Sequence, residues 1–311
     1  MILTVTLNVA IDKRYVVESF GIDHVNRVKD CTYSAGGKGL NVSRVATIAG
    51  AEVLATGFIG GHAGAFVVEE LNKQHVNSDF VQVKGETRSC INIYDEAKNT
   101  QTEFLEPGVT VTDSMKEEML VKFTKLVKEC NVVTISGSVP RGVESTFYKD
   151  LILIAKQYDK KVILDTSGVL LEEGIKAKPT MIKPNSDEIR SLIGRDVKGI
   201  EDLIQVASDL QRNGIEVVVI SLGSEGSLIA CKEGVFQAIV PKIEAVNTVG
   251  CGDSMIAGFA VGFERNLLMI DTIKLASAIS AANALREETG FFIHEDMQTL
   301  LGKIKVKKLT S

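Results

Sequence analysis

Several features that mark whole classes of protein are scarce or missing in this sequence. The five cysteines are scattered and form no C-x-x-C pair, which favours reduced thiols over a disulfide framework. The four histidines lie too far apart in the chain to indicate a metal site. No apolar run reaches the roughly 18 residues that a transmembrane helix needs, so no membrane span is expected.

An excess of positive charge is also missing. The net charge is −5, whereas nucleic acids and anionic membranes are bound largely through lysine and arginine. We therefore expect neither as a partner. The N-terminal stretch has no basic region and reaches Asp12 early, so we expect no signal peptide and a cytoplasmic protein. No G-x-G-x-x-G occurs, which disfavours a dehydrogenase.

What the sequence does contain is an alternation of short β-branched runs and longer helical patterns. The predicted buried strands are Ile2–Leu7, Val53–Phe58, Val132–Ile135, Val162–Leu164, Thr180–Ile182 and Val217–Ser221. The predicted helices are Gly39–Ile48, Ala65–Lys73, Ser114–Cys130, Ser145–Tyr158, Gly199–Arg212, Cys251–Phe263 and a closely packed small-residue helix within Leu267–Arg286. This order predicts an α/β fold: a doubly wound, mostly parallel sheet with helices on both faces, in one domain over residues 1–311.

Four further strand patterns lack intervening helices. Tyr15–Val17 is followed by Cys31–Ser34, and Ser89–Tyr94 by Thr102–Leu105 across the polar turn Asp95–Gln101. We interpret the four as a small antiparallel sheet apart from the main core. Such a sheet would cover a site or meet another subunit.

The first stretch that carries chemistry is Ala35–Asn41, with the sequence AGGKGLN. Its glycines let the backbone approach a ligand, and the following helix offers free amides. Lys38 adds a charge and Asn41 a polar head group. Leu40 stands where a Walker loop needs Ser or Thr, so this is not a Walker loop. An ordinary tight turn between a strand and a helix is the alternative.

The second stretch is Asn247–Ser254, with the sequence NTVGCGDS, directly before an apolar helix. The amides of Gly250, Cys251 and Gly252 would converge on one anion. Asp253 lies in the first helical turn, where it is either a capping acid or a base for an attacking hydroxyl. A base beside an anion hole is what phosphoryl transfer requires.

Two more stretches are ambiguous by themselves. Ser221–Gly226 follows a strand, where a glycine-containing turn either contacts nucleotide phosphates or simply forms a hairpin. In Lys183–Glu188, Asn185 can cap a helix with Glu188 completing a capping box. The alternative is that Asn185 and Glu188 hold Mg²⁺ through water.

In this order and spacing, the chain resembles the ribokinase-like sugar kinases, in particular the phosphofructokinase-B branch. The resemblance covers essentially the whole chain, and its motifs are Asn8–Asp12, Gly36–Asn41, Asn185–Glu188 and Thr248–Asp253. It implies a ribokinase-like domain with a small β-sheet lid, whose strands lie within roughly residues 12–34 and 88–106. ATP and Mg²⁺ are the implied cofactors.

The resemblance also implies roles for individual residues. Asp253 is expected to act as the base, and Gly250, Cys251 and Gly252 as the anion hole. The sugar is expected to contact Asp12, Gly37, Lys38 and Asn41. The nucleotide is expected to contact Lys183, Asn185, Ser221, Gly223, Ser224, Glu225 and Gly226, with Glu188 linked to Mg²⁺ through water. Cys251 stands where the family usually has alanine, and a thiol at a helix N-terminus is expected to have a lowered pKa and to be sensitive to oxidation.

The acceptor is expected to be a phosphorylated sugar. Arg88 leads into a lid strand and suits a phosphate, as does Lys38, with Arg27 as a third cation; for both arginines surface solvation is the alternative. The lid segments Gly85–Ile91 (GETRSCI) and Thr102–Gly108 (TEFLEPG) resemble those of tagatose-6-phosphate kinases.

These lid segments favour conversion of tagatose 6-phosphate to tagatose 1,6-bisphosphate. Phosphorylation of fructose 1-phosphate stays open as the alternative, and 6-phosphofructokinase activity is less favoured. A nucleoside or vitamin kinase would have an aromatic lid, whereas this chain is 5% aromatic and has no tryptophan. A sugar-phosphate sensor without activity would be expected to have lost Asp253 or its glycines, and both are present, which disfavours a sensor. The lid strands also make a homodimer plausible.

Overall fold

The computed structural model describes residues 1–310, and most of them belong to helices or strands. The strands are β1 (Ile2–Thr6), β2 (Ala10–Val17), β3 (Asp30–Gly36), β4 (Val53–Ile59), β5 (Asn77–Ser78), β6 (Val81–Gln82), β7 (Arg88–Asp95), β8 (Thr100–Leu105), β9 (Val132–Ser136), β10 (Lys161–Asp165), β11 (Met181–Ile182), β12 (Val217–Ser221), β13 (Ser227–Cys231), β14 (Gly234–Ile239) and β15 (Lys305–Thr310). The helices are α1 (Lys38–Ile48), α2 (Gly61–Lys73), α3 (Asp113–Leu126), α4 (Phe147–Gln157), α5 (Gly168–Ile175), α6 (Ser186–Ile193), α7 (Ile200–Arg212), α8 (Cys251–Glu264), α9 (Met269–Ala284) and α10 (His294–Leu301).

Eleven strands form the main sheet, in the order β15-β14-β13-β12-β11-β10-β9-β1-β4-β5, with β6 also paired to β4. The strands from β12 to β5 along this order run parallel, as predicted. The last three, β13 to β15, extend the sheet antiparallel. The sequence analysis gave the hairpin after β12 as one alternative but did not predict β14 and β15. Strand β14 follows β13 through a short turn without a helix, so it breaks the strand–helix alternation, and β15 pairs with β14 only after three helices.

Helices cover both faces of this sheet. In β12, Val217 and Val219 pack into one hydrophobic cluster and Val218 and Ile220 into the other. Because successive side chains of a strand point to opposite faces, a strand that is buried on both sides is apolar at every position. This explains the continuous Val- and Ile-rich runs, and it confirms the predicted doubly wound fold.

Most of the predicted helices are present, with shifted ends. Helix α2 begins at Gly61 rather than Ala65, and α3 ends at Leu126 in a short 3₁₀ turn. The eight-residue helices α5 and α10 were not predicted because two turns of helix give little periodic signal.

The small-residue helix α9 packs closely on α8, as predicted. A Cβ atom added to Gly258 of α8 would lie 2.4 Å from the Cα atom of Ala276. One added to Gly262 would lie 2.5 Å from Cγ2 of Thr272. The two backbones therefore approach each other at glycine positions, and this contact fixes α8 in the sheet-covering layer.

A separate four-stranded sheet forms the lid, in the order β3-β2-β7-β8. Its outer pairs are antiparallel, as predicted, but β2 and β7 are parallel, with Ala10 beside Arg88. The prediction of a wholly antiparallel sheet was wrong because the chain crosses β4 and α2 between the two hairpins. Within residues 1–310, no helix combines the length and apolar character that crossing a membrane requires.

Candidate active site

A cleft of about 800 Å³ lies where the lid faces the carboxyl ends of the central strands. The lid contributes Asp12 and Arg88, and the main domain contributes Lys38, Lys183 and Asp253. Ligands of doubly wound folds bind at this edge of the sheet, because loops from several parallel strands converge there. Residues from distant parts of the chain are thus brought into one cavity.

Asp253, the third residue of α8, is the most deeply buried carboxylate on α8, with 6% of its surface exposed. Its Oδ2 atom accepts a hydrogen bond of 2.8 Å from Nδ2 of Asn41. Burial and the negative charge of Asp165 together raise the pKa of Asp253 to about 6, against the lowering effects of Lys38, the Asn41 hydrogen bond and Lys183. A carboxylate with this pKa is mostly ionised at neutral pH and is well matched to accepting a proton.

The backbone around Asp253 offers hydrogen-bond donors. Gly250 has φ 80°, a left-handed conformation that favours glycine, and it precedes the first turn of α8. Within residues 1–310, the amides of Gly252 and Asp253 donate to no protein acceptor, as is usual for the first turn of a helix. The amide of Cys251 instead donates to the carbonyl oxygen of Thr248 at 3.3 Å. It therefore does not contribute to the predicted anion hole in this geometry.

The thiol of Cys251 also differs from the prediction. It does not line the cleft, and Nδ2 of Asn283 lies 3.4 Å from its sulfur. Burial raises the pKa of Cys251, with the charge of Asp253 acting in the same direction. The predicted lowering of this pKa was wrong because burial is the largest influence on it and outweighs the lowering effect of the Asn283 hydrogen bond.

The buried carboxylate of Asp165 pairs with two of the lysines that line the cleft. The Nζ atom of Lys38 lies 3.5 Å from Oδ2 of Asp165, and Nζ of Lys183 lies 3.3 Å from Oδ1. The lysines outweigh the desolvation of Asp165 and lower its pKa, while Asp165 raises the pKa of Lys38 to about 12. The sequence analysis missed Asp165, although a polar residue directly after a buried parallel strand is a usable signal.

Asn41 is held between two groups. Its Oδ1 accepts a hydrogen bond of 3.2 Å from Nη1 of Arg44, and its Nδ2 donates to Asp253. Arg44 is itself 7% exposed and also donates to the carbonyl oxygens of Thr289 and Ala35. The sequence analysis missed Arg44, and its signal was a charged residue among the buried positions of α1, between Val42 and Val45.

Asp12 projects from the lid strand β2 against the start of α1. A Cβ atom added to Gly36 would lie 2.2 Å from its carboxylate, so only glycine permits this approach. Burial raises the pKa of Asp12, whereas the charge of Arg44 and a hydrogen bond from the amide of Gly37 lower it. The predicted sugar-contacting residues Asp12, Gly37, Lys38 and Asn41 all line the cleft.

A smaller cavity of about 290 Å³ adjoins the cleft. Lys38 and Arg88 line both cavities. The Arg88 guanidinium is anchored by the carbonyl oxygens of Asn8, at 3.2 and 3.1 Å, and Glu106, at 3.0 Å. Its remaining N–H groups are available for an acceptor in the cavity.

The wall of the smaller cavity is polar. Thr6 and Ser136 both line it, and within residues 1–310 their buried hydroxyl oxygens have no protein hydrogen-bond partner. Asn8 and Ser138 stand beside them, joined by a hydrogen bond of 3.1 Å. Buried hydroxyls without a partner indicate a place for a polar ligand or for water.

The predicted nucleotide residues are only partly brought to the cleft. Lys183, Asn185, Glu188 and Ser221 line it. Asn185 and Glu188 form the capping box of α6, so the structural alternative holds while both still face the cavity. Ser221 begins the hairpin between β12 and β13. The rest of that turn lines neither cavity: Gly223, Ser224 and Glu225 are exposed, and Gly226 is buried.

Two further predictions concern Arg27 and metal binding. Arg27 lies on an exposed loop between β2 and β3 and lines neither cavity, so its contact with substrate stays a prediction. Within residues 1–310, no group of three His, Cys, Asp or Glu side chains could hold a metal ion by itself.

Comparisons with known proteins agree with this architecture. The model of the pfkB family carbohydrate kinases matches residues 4–296. A tagatose-6-phosphate kinase of Staphylococcus epidermidis is 39% identical, over 98% of this chain and 99% of its own length. The structure of phosphofructokinase-2 from Escherichia coli in complex with potassium has a TM-score of 0.91 at 26% identity, covering 97% of this chain and 98% of its own.

A Thermotoga maritima structure described as a possible 1-phosphofructokinase has a TM-score of 0.90 at 30% identity, covering 99% of both chains. The family match extends over nearly the whole cleft, including the segments that carry Asp12, Lys38, Lys183 and Asp253. This chain belongs to the pfkB family of carbohydrate kinases.

Proposed function

We propose that this kinase transfers the γ-phosphoryl group of ATP to a hydroxyl of a ketohexose monophosphate, preferentially converting tagatose 6-phosphate to tagatose 1,6-bisphosphate. The observation that carries the proposal is the position of Asp253. It is a buried carboxylate with a pKa of about 6, directly beside the free amides of the first turn of α8. A proton acceptor and a set of anion-binding donors thus share one place, which is the arrangement that phosphoryl transfer uses.

In this mechanism Asp253 accepts the proton of the attacking hydroxyl. Asn41 holds the carboxylate by its 2.8 Å hydrogen bond, so that the other oxygen, Oδ1, faces the acceptor. The amides of Gly252 and Asp253 stabilise the negative charge on the group being transferred, and Lys183 adds a positive charge. A Cβ atom on Gly252 would lie 3.2 Å from the Lys183 ammonium, which supports this assignment.

The phosphate of the acceptor sugar binds in the smaller cavity, between Lys38 and Arg88. One cation comes from the main domain and one from the lid, and the cavity wall supplies the hydroxyls of Thr6 and Ser136. Arginine with two free N–H groups suits a phosphate. Asp12, at the base of the lid, accepts hydrogen bonds from sugar hydroxyls.

The nucleotide lies on the side of Lys183 and Ser221. The end of ATP that is remote from the γ-phosphate lies along the turn Gly223–Gly226. Magnesium, when bound, neutralises charge on the ATP phosphates. The residues present fit this ion: Asn185 and Glu188 offer a single amide and carboxylate at the cleft, and Mg²⁺ keeps most of its ligands as water and phosphate oxygens. A cage of several carboxylates is not needed.

Tagatose 6-phosphate is favoured over fructose 1-phosphate by two observations. The lid strands carry the GETRSCI and TEFLEPG segments, and a named tagatose-6-phosphate kinase is 39% identical over almost the whole chain. Fructose 1-phosphate is the second candidate, supported by the 30% identity with the Thermotoga maritima structure.

The test is coupled ADP release with MgATP and four acceptors: tagatose 6-phosphate, fructose 1-phosphate, fructose 6-phosphate and ribose. We expect the highest kcat/KM for tagatose 6-phosphate. Preference for fructose 1-phosphate would retain the mechanism and change the substrate. Turnover of ribose alone would contradict the phosphate-binding role of Lys38 and Arg88.

A further inference from the structure

Arg44 is a buried cation that forms no salt bridge within residues 1–310, although the carboxylates of Asp12 and Asp253 lie near enough to act on its charge. Its guanidinium donates to four neutral oxygens: Oε1 of Gln74, Oδ1 of Asn41, and the carbonyls of Thr289 and Ala35. Burying a charge is costly unless the surroundings compensate it, so a role in α1 packing alone would be served better by an apolar residue. The arrangement therefore requires a reason that depends on the guanidinium.

The four acceptors belong to four different parts of the molecule. Ala35 is the last residue but one of the lid strand β3, Asn41 lies on α1, Gln74 follows α2, and Thr289 lies in the loop after α9. The contact with Ala35 is 2.6 Å and that with Thr289 is 2.9 Å. The Arg44 guanidinium thus hydrogen-bonds both to the end of β3 at Ala35, which we call the root of the lid, and to residues around the cleft.

The contact with Asn41 reaches the reaction centre. An amide side chain can turn over and exchange its oxygen and nitrogen, but Arg44 only donates hydrogen bonds. Because Arg44 Nη1 donates to Oδ1, the NH₂ group of Asn41 must point to Asp253. Gly290 packs tightly against both residues: a Cβ atom on it would lie 3.0 Å from Cβ of Asn41 and 3.1 Å from Nη1 of Arg44.

We propose that Arg44 is a positioning residue for phosphoryl transfer, which fixes the Asn41 amide as a donor to Asp253 and joins this contact to the root of the lid. The inference rests on the proposed function for its kinetic part only. Without Arg44, the Asn41 amide can turn over and accept a hydrogen bond from protonated Asp253, which stabilises the acid at the expense of the base.

The charged groups around Arg44, Asn41 and Asp253 determine in which direction the pH profile moves when Arg44 is replaced. Arg44 faces Asp12, Glu70 and Asp253, which raise its pKa against the lowering effect of burial. Loss of Arg44 removes a positive charge and a fixed donor near Asp253, and both changes favour the protonated acid. The acid limb of the kcat profile is expected to move to higher pH. The other charges that act on Asp253 are Asp165, Lys38 and Lys183.

The kinetic test compares Arg44→Met and Arg44→Lys with the wild type, using the best acceptor of the panel. Misplacement of a reacting group by about 1 Å costs about 10²-fold in rate. We expect kcat to fall by up to about 10²-fold in Arg44→Met and less in Arg44→Lys, with a smaller change in the KM for ATP. Arg265→Met is the matched control: its guanidinium donates to the carbonyl of Ala49 at the far end of α1. Its kcat should be unchanged.

A double-mutant cycle separates positioning from structural support. If Arg44 acts through Asn41, then Arg44→Met should lower kcat little further in an Asn41→Ala background. Multiplicative losses of kcat in the two backgrounds would overturn the proposal. The proposal would also be overturned if folded Arg44→Lys and Arg44→Met both had the kcat and the acid limb of the wild type.

A measurement without substrate keeps this test apart from the proposed function. The ¹³C NMR titration of the Asp253 carboxylate, assigned with Asp253→Asn, should shift to higher pH in Arg44→Met and less in Arg44→Lys. An unchanged titration in both variants overturns the positioning role, even if the enzyme is an active kinase. A shifted titration supports the role even if no acceptor of the panel is phosphorylated.

Discussion

The pKa of Asp253 is determined by burial and by neighbouring charges of both signs. Burial and Asp165 raise its pKa, while Lys38, Lys183 and the amide of Asn41 hold it to about 6. A higher value would leave the acid protonated at neutral pH, and a much lower one would make it a weak base. The residue is therefore ionised at neutral pH and still able to take up a proton.

The Asp253→Asn variant is expected to lose about 10²–10⁴-fold in kcat while it still binds both substrates. For the wild type, kcat/KM should fall as pH decreases through about 6, because protonation of Asp253 in the free enzyme removes the base. Coupled ADP release across pH measures both effects. Glu264→Gln, at the other end of α8, is the control and should keep normal turnover. Near-normal turnover of Asp253→Asn would contradict the assignment.

Cys251 is expected to be an unreactive thiol, because its pKa is raised by burial. Iodoacetamide at neutral pH should modify the exposed Cys31 well before Cys251, as followed by mass spectrometry of the peptides. Cys251→Ala should keep kcat within about twofold, since the thiol does not line the cleft. Fast inactivation by iodoacetamide that Cys251→Ala abolishes would contradict this prediction.

The residues of the cleft could be predicted from the sequence where a local motif marks them. Asp253, Lys38 and Asn185 stand in glycine-rich or capping motifs, Asp12 was assigned through the family resemblance alone, and all four line the cleft. Asp165 was missed because its meaning comes from lysines that are 127 and 18 residues away in the chain. The burial that reverses the expected pKa of Cys251 likewise arises from tertiary packing.

At the scale of elements, the contact between α8 and α9 holds in place the helix that carries Asp253. Their backbones meet at Gly258 and Gly262, where side chains would collide with Ala276 and Thr272. Small residues in both helices were visible in the sequence, so a tight contact could be predicted. The parallel pairing of β2 with β7 could not, because it depends on how two distant hairpins meet.

Gly258→Ala is expected to destabilise the protein by about 1–3 kcal/mol, since the new methyl group would overpack the α8–α9 contact. Urea unfolding followed by circular dichroism measures the change. Gly302→Ala is the matched control, because its Cβ atom would meet nothing closer than 3.9 Å and its φ of −68° suits alanine. Equal free energies of unfolding for the two variants would contradict the packing argument.

At the scale of the whole molecule, the proposed phosphate site is formed by the lid and the main domain together. Arg88 belongs to the first and Lys38 to the second, and the smaller cavity lies between them. Each cation alone leaves part of a bound phosphate uncompensated. Affinity for the acceptor therefore reports how the two sheets sit relative to each other.

Arg88→Ala is expected to raise the KM for the sugar phosphate by about 10–100-fold, from the roughly 1.5–3 kcal/mol of a hydrogen bond to a charged group. The KM for ATP should change little, since Arg88 is on the acceptor side. Initial-rate kinetics with each substrate varied in turn measure both. Arg14→Ala, on the neighbouring lid strand, is the comparison, because Arg14 does not line the smaller cavity. An unchanged acceptor KM would contradict phosphate binding by Arg88.

The parallel pairing of β2 and β7 has a consequence for exchanging substrate preference between relatives. Asp12 and Arg88 are carried on strands that are hydrogen-bonded side by side, so a change in the twist of one strand displaces the other. Segments 10–36 and 88–105 must therefore be exchanged together, although 51 residues of main-domain chain separate them in the sequence. A chimaera that imports only one segment would break the cross-strand register, whereas a graft of both would transfer the recognition surface intact.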